Sequence, residues 1–142
     1  MQDTTENNDI PVSQVSAKGS SPTGGSRMAA VSKDRPLNHY QWGNHCDGWN
    51  LVDEAGLSVK QELMPAGTEE VKHYHAKSQQ FFFILKGSAR LEVEDSTIEI
   101  KEGEGLHIKA GTRHRITNDS SEDLEFLLCS QPSTKDDRVN CE

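Results

Sequence analysis

Long apolar runs are missing from this chain. The longest, Phe81 to Leu85, has five residues. A helix needs roughly 20 to span a bilayer, so no membrane partner is expected. The opening residues are acidic (Asp3, Glu6, Asp9) and lead into no apolar block of the roughly 7–15 residues that marks a secretory signal. Cysteine is scarce: Cys46, Cys129 and Cys141 are odd in number and lack metal-type spacing. That argues against a disulfide framework and a cysteine-based zinc site, and a reduced, cytoplasmic chain is the expectation. Positive charge is in deficit, with 15 Lys and Arg against 23 Asp and Glu and a net charge of −8. Lys109, Arg113 and Arg115 cluster, but three charges do not make the basic stripe that nucleic acid requires. No nucleic-acid partner is expected.

Hydrophobic residues make up 32% of the chain, low for a globular protein. The shortfall is concentrated in residues 1–34, which hold no aromatic residue and no apolar period. Such a stretch cannot bury enough surface to offset the entropy of ordering it. Residues 1–34 are therefore expected to be a disordered leader and 35–134 one folded domain. Residues 135–142 are expected to form a polar tail that wraps the outside or frays, with Asp136-Asp137-Arg138 a solvated run.

Helical periodicity is also missing, and period two takes its place. Alternation marks strands over Leu57–Leu63, Val71–His75, Gln80–Lys86, Arg90–Glu94, Thr97–Lys101, Leu106–Lys109, Arg113–Asn118 and Leu124–Ser130. Turn residues separate them: Pro65-Ala66-Gly67, Gly87-Ser88, Asp95-Ser96, Gly103 to Gly105 and Ala110-Gly111-Thr112. Many short strands at close spacing predict an all-β sandwich or barrel. The stretch from Leu37 to Trp49 reads as irregular.

Within this frame the segment HYHAKSQQFFFIL, residues 73 to 85, carries chemistry. Residues i and i+2 of a strand share a face, so His73 and His75 project together. Gln80 follows after the Ala76-Lys77-Ser78 turn and can return an amide oxygen to the same spot. His114 opens a later strand directly after the Gly111-Thr112 turn. Three histidines and one amide oxygen form a mixed donor set suited to one divalent Fe, Mn, Ni, Cu or Zn ion.

The pattern Gly67-(x5)-His73-x-His75-(x4)-Gln80-(x6)-Gly87 resembles the first signature motif of the cupins. Gly103-(x5)-Lys109-x-Gly111-(x2)-His114-(x3)-Asn118 has the spacing of the second. The resemblance covers about half the chain, Leu57 to Ser130. It implies a cupin-type double-stranded β-helix, or jelly-roll barrel, with a metal held by His73, His75, Gln80 and His114. It also implies a homodimer and, in many members, dioxygenase chemistry. The chain departs from the family at Gln80, where Glu is usual, and at Lys109, where Pro is usual. The amide removes one negative charge from the ligand set and a possible internal base.

Gln80, Phe82 and Ile84 share one face of their strand, and Phe81, Phe83 and Leu85 the other. Both faces are apolar and both must be covered. The outer one calls for a second subunit or the segment around Tyr40, Trp42 and Trp49. Phe82, Ile84 and Ile116 are expected to line a small-molecule pocket, with Gln61 and Met64 beside them if the Val59-Gln61-Leu63 face turns inward. No Asp or Glu falls on that inferred face, so no general base is identified. The reading is a metal-dependent enzyme acting on a small organic molecule, by dioxygenase or by Lewis-acid isomerase or cyclase chemistry. The alternatives are a non-catalytic small-molecule-binding module and a metal-free cupin of the sugar epimerase kind, for which no catalytic His–Tyr/Asp support is found.

Overall fold

Alternation becomes twelve strands, with no helix, across residues 28–142, the part of the chain that the computed structural model describes. The expected disorder of residues 1–27 lies outside the described residues. In chain order the strands are β1 (Asn38–Trp42), β2 (Cys46–Glu54), β3 (Leu57–Met64), β4 (Thr68–Glu69), β5 (His73–Tyr74) and β6 (Gln79–Lys86). They continue with β7 (Ser88–Val93), β8 (Ser96–Lys101), β9 (Gly105–Ile108), β10 (His114–Asn118), β11 (Leu124–Gln131) and β12 (Val139–Asn140). One sheet runs β1-β2-β3-β11-β6-β9 and the other β12-β5-β10-β7-β8, with β4 on β10. All the pairings are antiparallel. Met64, Phe82, Ile84, Leu124 and Phe126 of the first sheet meet Ala89, Leu91, Ile100 and Ile116 of the second in one buried core. This is the all-β architecture expected from the sequence.

Four expectations change in detail. Leu37 to Trp49 is not irregular: β1 and β2 pair as a hairpin, Asn38 opposite Asn50 and Trp42 opposite Cys46. The hairpin lies at the far side of the sheet from β6, so Tyr40, Trp42 and Trp49 do not cover β6's outer face. Phe81 stays 42% exposed there, stacked on Phe83 with centroids 6.3 Å apart. Residues 32–34 are not detached. Ser32 bridges to Arg35, and Lys33 reaches Glu125 of β11 at 3.1 Å. The polar tail, finally, neither frays nor merely coats the surface. Val139 and Asn140 pair with Tyr74 and His73, and Glu142 meets Arg115 at 3.1 Å.

Candidate metal centre

The two sheets contribute unequally to one site. His73 of β5 lies directly opposite His114 of β10 in antiparallel register, which brings their ring centroids to 4.5 Å. His75, on the same face as His73, stands 4.9 Å from it and 5.7 Å from His114. One ligand atom from each lies within 4.8 Å of the others, and all three rings are buried. Gln80 comes from β6 of the other sheet, buried, with Oε1 3.2 Å from His114 Nε2.

The backbone fixes which nitrogen of each ring is available. His73 Nδ1 donates to the Val71 carbonyl at 2.7 Å, His75 Nδ1 to the Asp137 carbonyl at 2.7 Å, and His114 Nδ1 to the Thr112 carbonyl at 2.8 Å. A carbonyl oxygen only accepts, so the proton of each neutral ring sits on Nδ1 and Nε2 is left bare. Among the described residues, His75 Nε2 is buried without any partner. Bare His114 Nε2 faces Gln80 Oε1, while the Gln80 amide nitrogen donates to Ser130 Oγ at 3.0 Å. Acceptor therefore faces acceptor, an arrangement that a cation among the four atoms relieves. The residues fit a divalent first-row ion held by His73, His75, His114 and Gln80.

Burial keeps all three imidazoles neutral. It pushes His73 down to about 3 and His114 down to about 4, and it lowers His75 as well. Neutral rings are the form that binds metal, so protons compete little near neutrality.

Around the ligands opens a cavity of about 190 Å³, lined by His73, His75, Gln80 and Phe82 together with Tyr40, Trp42, Lys60, Glu62, Glu70 and Arg138. Of the residues expected in the pocket, Phe82 is in place, edge-on to His114 at 6.0 Å. Met64, Ile84 and Ile116 are buried in the core instead of on the cavity wall. Gln61 is on the wrong face: its amide donates to Glu125 at 3.2 Å. The even-numbered residues of β3 turn inward, which places Lys60 and Glu62 where the sequence reading found no carboxylate.

Glu62 is therefore the acidic group the sequence did not reveal. It is opposite Gly48 of β2, and Gly48 is opposite Tyr40 of β1. A Cβ on Gly48 would fall 2.1 Å from the Tyr40 ring. Glycine thus lets that ring lie across β2, so that the Tyr40 hydroxyl donates to Glu62. Burial, then the neighbouring carboxylate, pushes the Tyr40 hydroxyl far up, so it stays protonated. Burial raises Glu62 and takes Glu70 up to about 8, even though the Ile116 N–H donates to Glu70 at 3.1 Å.

These shifts give the metal-free protein a dome-shaped pH profile. His73 and His114 bind protons in the unfolded chain near 6.5 but in the fold only near 3 and 4. Their contribution is complete above 6.5 and is lost as pH falls. Glu70 is opposite in sign. It holds its proton in the fold up to about 8 and in the unfolded chain only to 4.5, so its contribution is complete at low pH and is lost on rising through 8. Below 6.5 the three lowered histidines outnumber the two raised glutamates, Glu62 and Glu70, so melting temperature should peak near pH 6.5. Glu70→Gln should flatten the alkaline limb. A scan of chelator-treated protein checks this, and an unchanged alkaline limb in the variant contradicts the role given to Glu70.

Two antiparallel sheets that bring together three backbone-oriented imidazoles and one amide oxygen, with His73, His75 and Gln80 opening onto a cavity, define a small β-barrel protein with a metal-type site. The chain belongs to the cupin family, since the cupin domain profile (Cupin_2) matches residues 59–130, a span that contains all four donor residues. It is 29% identical over 83 residues to an uncharacterized protein of Methanocaldococcus jannaschii, MJ1618, covering 58% of this chain and 66% of that one. It is 26% identical over 70 residues to a protein named polyketide synthase CurC of Streptomyces cyaneus, covering 49% and 46%. The chain thus spans between about half and two thirds of these relatives' own lengths. Among solved structures, KdgF from a Halomonas species superposes with a TM-score of 0.69 at 14% identity, over 76% of this chain and 98% of that one. Among the described residues no helix is long and apolar enough to cross a membrane.

Proposed function

We propose that this protein is a metal-dependent enzyme that moves a proton on a small, oxygen-bearing organic molecule, an isomerase or cyclase in reaction type. The observation that carries the reading is a cluster of three bare imidazole nitrogens, two of which, those of His73 and His75, share a cavity wall with a buried carboxyl, Glu62. A binding module needs neither.

Bound to His73, His75, His114 and Gln80, a divalent ion supplies Lewis acidity toward a carbonyl or enol oxygen. The chain's own residues do the rest. Glu62 takes the proton from the carbon beside that oxygen and returns it elsewhere on the molecule, and its raised affinity for protons suits it to both steps. Tyr40, donating to Glu62, holds the carboxylate in place. Trp42, Phe82 and Leu128 form the apolar part of the wall and limit the water that reaches the exchanging proton. The relative named a polyketide synthase supports a small oxygenated organic substrate for this fold.

The test is metal content by plasma mass spectrometry on untagged protein purified without chelators. Close to one Fe, Mn, Ni, Cu or Zn per chain is expected. A metal-free protein that also takes up none of these ions when they are added would overturn the reading and leave a metal-free binding pocket.

A further inference from the structure

Two cations face the cavity that the proposed reaction does not use. Lys60 comes from β3 and Arg138 from the segment leading into β12, and both line the wall with Glu62, His73 and His75. Neither has a carboxylate within 4.0 Å among the described residues. Arg90, Arg113 and Arg115, by contrast, are all paired with acids. Lys60 Nζ rests 5.5 Å from the centroid of the Tyr40 ring.

Arg138 is exposed but not free to swing. Its Nε donates to Asn140 Oδ1 at 2.9 Å and one terminal nitrogen to the Val71 carbonyl at 3.4 Å. Both acceptors are neutral, so they orient the guanidinium without cancelling its charge. That charge acts through space on His73, His75, His114, Glu62 and Glu70, and the side chain lines the same cavity as His73, His75, Glu62 and Glu70.

We infer that Arg138 and Lys60 form the anion subsite of this cavity and that the substrate is a small carboxylic acid. This rests on the reading of the cavity as a substrate site. A planar guanidinium held in place presents paired N–H donors that match a carboxylate or phosphate, and a lysine adds a point charge. The proposed proton transfer decides between the two anions. It needs an oxygen-bearing carbon with an exchangeable proton, and a short keto or hydroxy acid carries that carbon directly beside its carboxylate. With its carboxylate on Arg138 and Lys60, such an acid turns its carbonyl or hydroxyl oxygen toward the histidines and its intervening carbon toward Glu62.

Malonate and malonamide test this, being equal in heavy atoms and differing in charge. Trp42 lines the cavity and reports occupancy by its fluorescence, followed in chelator-treated and in zinc-supplemented full-length protein. Malonate should saturate with a Kd of about 1 mM or tighter, and malonamide should bind at least ~10-fold more weakly. Arg138→Gln and Lys60→Gln should each cost malonate about 10-fold and leave malonamide unchanged, while Arg90→Gln changes neither. Should Arg138→Gln fail to melt cooperatively, Lys60→Gln carries the comparison. Equal binding of the two probes, no binding of either, or malonate binding indifferent to both substitutions overturns the inference. Inorganic phosphate binding more tightly than malonate overturns the carboxylic acid assignment. Malonate binding through Arg138 in protein that refuses zinc would sink the metal reading and keep this one. Stoichiometric zinc without charge discrimination would do the reverse.

Discussion

A His73→Ala/His75→Ala protein is expected to purify folded and with less than about a tenth of the parent's metal. The two substitutions remove two of the four donor atoms, leaving His114 and Gln80 too few to hold an ion against water. Asp137 should produce a graded version of the same loss. Its carboxylate accepts the N–H groups of Ala76, Lys77 and Ser78 at 2.9, 3.0 and 2.9 Å, and its own carbonyl takes the Nδ1 proton of His75 at 2.7 Å. One tail residue thus shapes the whole turn between His75 and Gln80. Asp137→Ala keeps the carbonyl on His75 but removes the carboxylate that holds the turn, so it should weaken zinc binding about 10-fold, the low end of the cost of losing an outer partner, and Asp137→Asn should cost less. Competition against a chromophoric zinc chelator measures both. Full affinity in Asp137→Ala would mean that the turn holds its shape unaided.

Replacing Glu62 with glutamine should lower kcat by about 10²- to 10⁴-fold, the span typical of a lost proton-transferring group, with metal content unchanged. Glutamine keeps the size of the side chain and can still accept the Tyr40 hydroxyl, so loss of packing does not explain such a fall. Tyr40→Phe should be milder, because the carboxylate survives without its orienting donor. Turnover of a small keto or hydroxy acid, followed by proton NMR in heavy water, gives both the rate and the site of exchange. A Glu62→Gln protein with parental kcat would remove Glu62 from the chemistry.

The strands were legible because their alternation is regular, and the donor residues because their spacing is local. His73 and His75 share a face by period alone, and Gln80 and His114 sit beside turns that glycine and serine announce. On β3 the apolar rule points to the wrong face for a physical reason. Val59, Gln61 and Leu63 look like an inward face because two of them are apolar, yet Lys60 and Glu62 are the ones that point in. Functional sites are where polar residues occupy inward positions against the hydrophobic rule, and period two cannot tell one face from the other without that rule. The hairpin β1–β2 was hidden by Gly43, Gly48 and the polar residues between them, which read as loop. Asp137 and Arg138 were hidden by distance. Their partners Ala76 and Val71 are more than 60 residues away in sequence, and nothing local marks an acidic-basic run as a wall of a cavity.

The span shared with the family runs from residue 59 to residue 130, and the groups around the cavity divide across its borders. The four donors lie inside it. Tyr40 and Trp42 precede it, and Thr134 and Arg138 follow it. The shared barrel thus supplies the donors together with Lys60, Glu62 and Glu70, while the flanking hairpin and tail close the remaining side of the same cavity. Two chains alike over the barrel can therefore differ in a part of the cavity wall that comparison of the barrel alone does not reveal.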